Sequence, residues 1–238
     1  MKRVVFYLIL FTTYLFGQEI TLLEEYFLLL NDLSNANTIG YKSHLINDDI
    51  DRNNIHAKYF KKINFGQGSL IYTNRDLDFA IIGDGFFKVK INDENDSIGY
   101  TRNGEFAINR ITNELITING FKLFDTITII PGFTKLIIDE DYSIITFYSN
   151  NEVINNGYLK IYSVDTDNLV YPENYEHLSY FLYFGEEEYN SNSRILNNML
   201  ECSNVDKMAI IMRLMEINKT LGMNFEENNN EWILKHCA

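Results

Sequence analysis

Four histidines, two cysteines, a closely spaced glycine pair and a few clustered acids are the residues of this 238-residue chain best suited to chemistry. Gly83-Asp84-Gly85 begins like a phosphate-binding loop, but Lys88 stands where the third glycine belongs and strand-like sequence follows, whereas such a loop needs a helix N-terminus behind it. Asp49-Ile50-Asp51-Arg52-Asn53 starts like a calcium loop. Asn54 then replaces the glycine at the sixth loop position and Phe60 the bidentate glutamate at the twelfth, so a solvated loop is expected. His44, His56, His177 and His236 are scattered, and Asp139 and Asp141 read as a turn between two strands rather than a glycosidase pair. Cys202 and Cys237 lack metal-ligand spacing. Two free thiols are the expectation, since a disulfide needs the C-terminal segment to fold back. Serine-hydrolase, zinc-protease and phosphate-loop motifs are absent. The chain is therefore read as a non-enzyme with no metal, cofactor or small-molecule substrate.

Composition narrows the partners. A net charge of −13 opposes binding to a phosphate backbone or an anionic membrane surface, so no nucleic acid is expected. Hydrophobic residues at 46% and aromatics at 14% place the chain among folded proteins, with length enough for a real core. Asn-rich stretches at 47–54, 190–198 and 224–230 read as loops.

The elements that would position these residues follow from hydrophobic period. Residues 1–18 carry Lys2 and Arg3 before an apolar run from Val4 to Phe16, too short to span a bilayer as a helix, and read as a secretory signal peptide or an uncleaved apolar helix. Ile20, Leu23, Phe27 and Leu30, widened by Leu22, Tyr26 and Leu29, predict an amphipathic helix over Glu19 to Asn31 that ends in the polar segment Asn31 to Lys42. Short strand patterns fill the middle, separated by Gly-Asp-Gly, Asn-Gly and Pro-Gly turns, and Gly83-Asp84-Gly85 is expected to close a β-hairpin or a kinked strand pair. Near the C-terminus Ser203 is the predicted N-cap of a final helix with Asp206 at N3. Its apolar residues form two stripes, Val205, Met208, Met212 and Met215 on one and Ile210, Leu214, Ile217 and Leu221 on the other. One stripe can pack within the chain and the other outward.

The expected fold is α+β, an antiparallel β-rich central domain flanked by N- and C-terminal amphipathic helices that pair as a coiled-coil-like bundle. The expected divisions are residues 1–18, the N-terminal helix and exit at 19–42, an extended polar arm at 43–65, the β-rich domain at 66–189, a linker at 190–199, and the C-terminal helix and tail at 200–238.

Several segments then resemble one family. Leu33-Ser34-Asn35-Ala36-Asn37-Thr38-Ile39-Gly40-Tyr41-Lys42 is similar to the helix-exit signature of bacterial flagellar rod and hook proteins, and Leu77-Asp78-Phe79-Ala80-Ile81 with Gly83-Asp84-Gly85-Phe86-Phe87 is similar to a second signature. Tyr100-Thr101-Arg102-Asn103-Gly104-Glu105-Phe106 and Leu200-Glu201-Cys202-Ser203-Asn204-Val205-Asp206 resemble two more. The resemblance implies an axial structural component of the flagellar basal body, rod-like, exported to the periplasm. Its partners would be copies of itself in a helical assembly and neighbouring rod or hook proteins. It places Leu33, Asn35, Asn37, Gly40, Lys42, Ser203, Asn204, Val205, Met208 and Met212 at the assembly region. The signal-like N-terminus, the interruption of the last helix at Gly222, and Arg75-Asp76 in place of the Asn-Pro usual before Leu-Asp depart from the family pattern. They leave two other readings, a divergent periplasmic paralogue that binds the basal body without polymerising and a secreted β-rich enzyme.

Overall fold

The computed structural model describes residues 22–45, 62–92, 97–139, 144–172, 179–183, 185, 187–189 and 193–222. The N-terminal signal-like run, the calcium-like loop, Asp141, three of the histidines and Cys237 lie outside these residues. The chain divides into two compact units, a helical one made of Met1–Ala36, Ser43–Asn64 and Val205–Ala238, and a β unit made of Asn37–Lys42 and Phe65–Asn204.

The described strands of the β unit are short and pair antiparallel. The largest sheet runs in the order Leu169–Val170, Tyr180–Tyr183, Ser97–Thr101, Phe87–Asn92, Lys122–Leu123, Leu115–Thr117, Phe106–Ile108. A three-stranded sheet is built from Lys135–Asp139, Ile144–Ser149 and Glu152–Tyr158. Its second hairpin turns on Asn150 and Asn151, both at positive φ (51° and 68°), the backbone that a tight hairpin requires and asparagine tolerates. Strands present alternate residues to one buried face. Phe79, Ile81, Phe87, Val89, Phe106, Ile145, Phe147, Tyr180 and Ile195 meet there in one core. Edge-on aromatic pairs, including Phe87 with Phe106 at 5.2 Å and Phe121 with Tyr180 at 5.1 Å, give it directional packing.

Gly83-Asp84-Gly85 does not close a hairpin. Phe79–Ile82 pairs with Arg194–Asn197, whereas Phe87–Asn92 pairs with Ser97–Thr101 and Lys122–Leu123. Gly83 and Gly85 both hold positive φ (97° and 98°), so the chain turns a corner between two sheets instead of doubling back. This is the kinked-strand alternative.

Two further boundaries differ from the sequence reading. The linker expected at 190–199 contains the strand Arg194–Asn197, and Leu200 and Glu201, expected to open the final helix, lie in the strand Met199–Glu201, which pairs with Leu70–Tyr72. Composition concealed the first because few of its residues are apolar. One of them, Ile195, is fully buried opposite Ile81, and backbone bonding to the neighbouring strand supplies the rest. The final helix, α2, spans Lys207–Thr220. Asp206 is its N-cap, with a carboxylate oxygen accepting from Ala209 N–H at 3.0 Å, while Ser203 stays outside the helix.

The N-terminal helix, α1, covers residues 22–34. Leu29 and Leu33 of α1 share a core with Ile210, Leu214 and Ile217 of α2, flanked by Leu22, Tyr26, Leu30, Val205, Ile211 and Leu221. Each fully buried aliphatic side chain contributes about 1.5–3 kcal/mol. The buried stripe of α1 is thus the one through Leu22, Tyr26, Leu29 and Leu33, and the expected lead positions Leu23 and Phe27 face outward. Glu25, also on the inner side, is met by a two-pronged contact from Arg213 (2.6 and 3.0 Å), which keeps the guanidinium firmly protonated through hydrogen bonds to that carboxylate. The ends of the polar arm pair with each other, Asn64 N–H to Ser43 O and Leu45 N–H to Lys62 O, both at 2.7 Å. His44 is held by Asp32, its ring nitrogen 2.7 Å from the carboxylate. Among the described residues no helix is long and apolar enough to cross a membrane.

Truncating Ile195→Ala should lower unfolding free energy by about 2–5 kcal/mol, the range for a fully buried isoleucine. Denaturant titration checks this, and a change under about 0.5 kcal/mol, normal for a solvated linker, would contradict the strand assignment.

Candidate assembly region

Lys42, Arg102 and Glu201 meet in the interior of the β unit although they are far apart in sequence. The Lys42 ammonium lies 2.5 Å from one Glu201 carboxylate oxygen, and the Arg102 guanidinium approaches the other at 3.4 Å. Side chains of Lys42 and Glu201 are 0% exposed, so every remaining polar valence needs a protein partner. Lys42 also donates to Gly66 O at 2.8 Å, Gly68 N–H donates to Glu201 at 2.8 Å, and Arg102 donates to Gly83 O at 2.6 Å. Burial pushes the Lys42 ammonium below its usual range, against the pull of Glu201, and lowers Arg102 in the same way against Glu201 and Asp84.

The backbone around this cluster is fitted to it. Gly40 (φ 69°) donates its N–H to Glu201 O at 2.8 Å. A Cβ there would run into the backbone of Arg102 and Asn103, so the position needs glycine for space as well as for conformation. Tyr41 stacks on Tyr171 (centroids 5.4 Å apart), whose hydroxyl accepts from Lys42 N–H at 3.0 Å and donates to Lys42 O at 2.8 Å. Asn204 Nδ2 donates to Gly66 O at 2.8 Å, and its backbone N–H reaches Tyr41 O.

Four sequence signatures therefore converge. Lys42 comes from the first, Gly83 from the second, Arg102 from the third and Glu201 from the fourth. Of the residues assigned to the assembly region, Gly40, Lys42 and Asn204 belong to this cluster. Leu33 is buried in the α1–α2 core, with Val205 against it. Asn35 is buried and donates to Asn31 O, while Asn37 is exposed and Ser203 half-buried. Met208 and Met212 stand outward on α2 at 66% and 58% exposure, joined by Met215 at 54%. Sequence reasoning passed over Glu201, Arg102, Tyr171 and the Glu25–Arg213 pair. An acid directly after Leu200 in a strand-like run was the available signal for the first.

Two comparisons bear on this arrangement. Residues 80–145 match the family model described as the flagellar hook protein FlgE/F/G D1 domain. The chain is also similar to the flagellar basal-body rod protein FlgF of Buchnera aphidicola subsp. Schizaphis graminum, 28% identical over 223 residues covering 87% of each chain. Together these matches support a member of the flagellar basal-body rod and hook family. FlgF of Caulobacter vibrioides is 28% identical over 229 residues, covering 85% of each chain. FlgG of Borreliella burgdorferi is 33% identical over 100 residues, 41% of this chain and 37% of that one. The relatives named here are basal-body rod proteins, and the signature residues this chain shares with the family are largely internal to its own fold.

Replacing Gly40→Ala should destabilise the protein by about 2–5 kcal/mol, because strain at positive φ and a backbone clash act together. Gly132→Ala, at a positive φ with open space around it, should cost only about 1–2 kcal/mol. Thermal or urea unfolding of the two variants makes the comparison, and equal losses would remove the packing component.

Proposed function

We propose that this protein is an axial rod subunit, exported to the periplasm, that self-assembles through the outward faces of its terminal helices and transmits torque along the rod. The observation that carries the reading is the stripe of Met208, Met212 and Met215, all more than half exposed on a helix whose opposite face is already packed on α1. Phe27, 66% exposed, gives α1 an outward apolar side chain of its own. Two helices that bury one face together as a coiled-coil-like pair and expose a second apolar stripe have a surface for neighbouring copies. Methionine suits it, since an unbranched thioether adapts to more than one opposing surface. A contact between unlike faces, repeated without closing, generates a helical tube, the geometry a rod requires. The rod proteins FlgF and FlgG among the relatives support the same reading.

The double substitution Met208→Glu, Met212→Glu should abolish assembly of the purified protein, followed by sedimentation and electron microscopy, and abolish motility in the parent bacterium. The monomer's unfolding midpoint should stay within a few degrees of the parent's, because neither side chain is in the core. Assembly at the parent's level would contradict the proposal. A parent protein that stays strictly monomeric, with no rod defect on deletion, would favour the non-polymerising paralogue.

A further inference from the structure

The chain passes between its two units after Ala36, after Lys42, after Asn64 and after Asn204. Three of these passages are tied to one another on the β side by a small set of side chains. Lys42, the last residue before one passage, donates to Gly66 O, two residues after another, at 2.8 Å. Asn204, the last residue before the final passage, donates to the same carbonyl at 2.8 Å, and its N–H reaches Tyr41 O at 3.4 Å. Glu201 links all three segments, accepting from Lys42 Nζ, from Gly68 N–H and, at its backbone carbonyl, from Gly40 N–H. The short ladder between Leu70–Tyr72 and Met199–Glu201 and the bond from Cys202 N–H to Ser69 O at 2.8 Å continue the fastening into the sheet.

We infer that Lys42, Gly66, Glu201 and Asn204 form a mechanical clamp, which makes force arriving along any one of these segments act on all three together. This deepens the torque-transmitting reading and rests on it for its biological purpose. The physics is that of bonds in parallel. A strand held alone is peeled away one hydrogen bond at a time, whereas three segments fastened at one carbonyl and one carboxylate must break several bonds in a single event. Such an arrangement raises the barrier to forced opening more than it raises equilibrium stability, because forced unfolding follows the opening rate. It also gives the buried ion pair a use that stability alone does not, since an apolar replacement of similar volume is commonly neutral or better for stability.

The test is single-molecule pulling on the full chain, with handles on azide-bearing amino acids encoded at position 151, in the turn of the three-stranded sheet, and position 219, at the end of α2. Asn204→Ala removes one clamp bond. Asn197→Ala removes the same kind of bond, side-chain amide to the Asp76 carbonyl at 2.7 Å, at a place that ties no passage, and serves as the reference. At constant load the Asn204→Ala chain should open roughly five- to tenfold faster than the parent, the equivalent of one hydrogen bond lost from the barrier. Asn197→Ala should open at nearly the parent's rate, with both variants alike in urea midpoint. Equal opening rates for the two variants, or an effect that scales only with urea midpoint, would overturn the clamp. Because monomers are pulled, the outcome is independent of polymerisation, and a chain that fails to assemble leaves this result standing.

Discussion

The buried contact between Lys42 and Glu201, with Arg102 on the far oxygen, is the constraint to which the β unit's surroundings conform. Removing three charged groups from water is costly, and only close geometry with full hydrogen bonding offsets it. That requirement explains features which look unrelated along the chain. Gly40 has no side chain because Arg102 and Asn103 lie against it, Gly83 presents a carbonyl to the guanidinium, and Tyr171 satisfies both backbone groups of Lys42. Residues that resemble a family signature for assembly are, in this fold, largely residues that hold one chain together.

The division of labour within the helical unit is clear from exposure. α1 and α2 bury the stripe that includes Leu29, Leu33, Ile210, Leu214 and Ile217, and the Glu25–Arg213 pair fixes which residues face one another. The methionine stripe of α2 and Phe27 of α1 are left outside that core. Signature residues secure the backbone, and the adaptable apolar residues form the surface that the proposed assembly would use. The proposed helical array would need both, since a contact surface on a yielding support would pass little force.

Much of the fold was legible in the sequence, for identifiable reasons. The two stripes of α2 followed directly from helical spacing, and the buried one is the stripe of Ile210, Leu214 and Ile217. The strands Lys135–Asp139, Ile144–Ser149 and Tyr180–Tyr183 lie where short strand-like runs were read in the sequence. Pairing was not legible, because Gly83-Asp84-Gly85 has the same composition whether it closes a hairpin or turns a corner. Arg194–Asn197 was hidden by the asparagines and serines that flank it, as a strand can be held by backbone bonds and one buried isoleucine. The cap moved from Ser203 to Asp206 because any of several short polar residues can start a helix, and tertiary bonding on Asn204 draws the preceding backbone elsewhere. The ion pair at the centre was invisible for a deeper reason. Nothing local distinguishes a buried lysine from a solvated one, and its partner lies 159 positions away.

A double-mutant cycle on Lys42 and Glu201 tests this account most directly. Unfolding free energies of the parent, Lys42→Met, Glu201→Gln and the double variant, from urea titration at neutral pH, give the coupling between the two side chains. A coupling of about 2–3 kcal/mol is predicted for a fully buried pair in contact. Losses that add to within about 0.5 kcal/mol would mean the two groups act independently, and would contradict the claim that the surrounding fold is organised by their meeting.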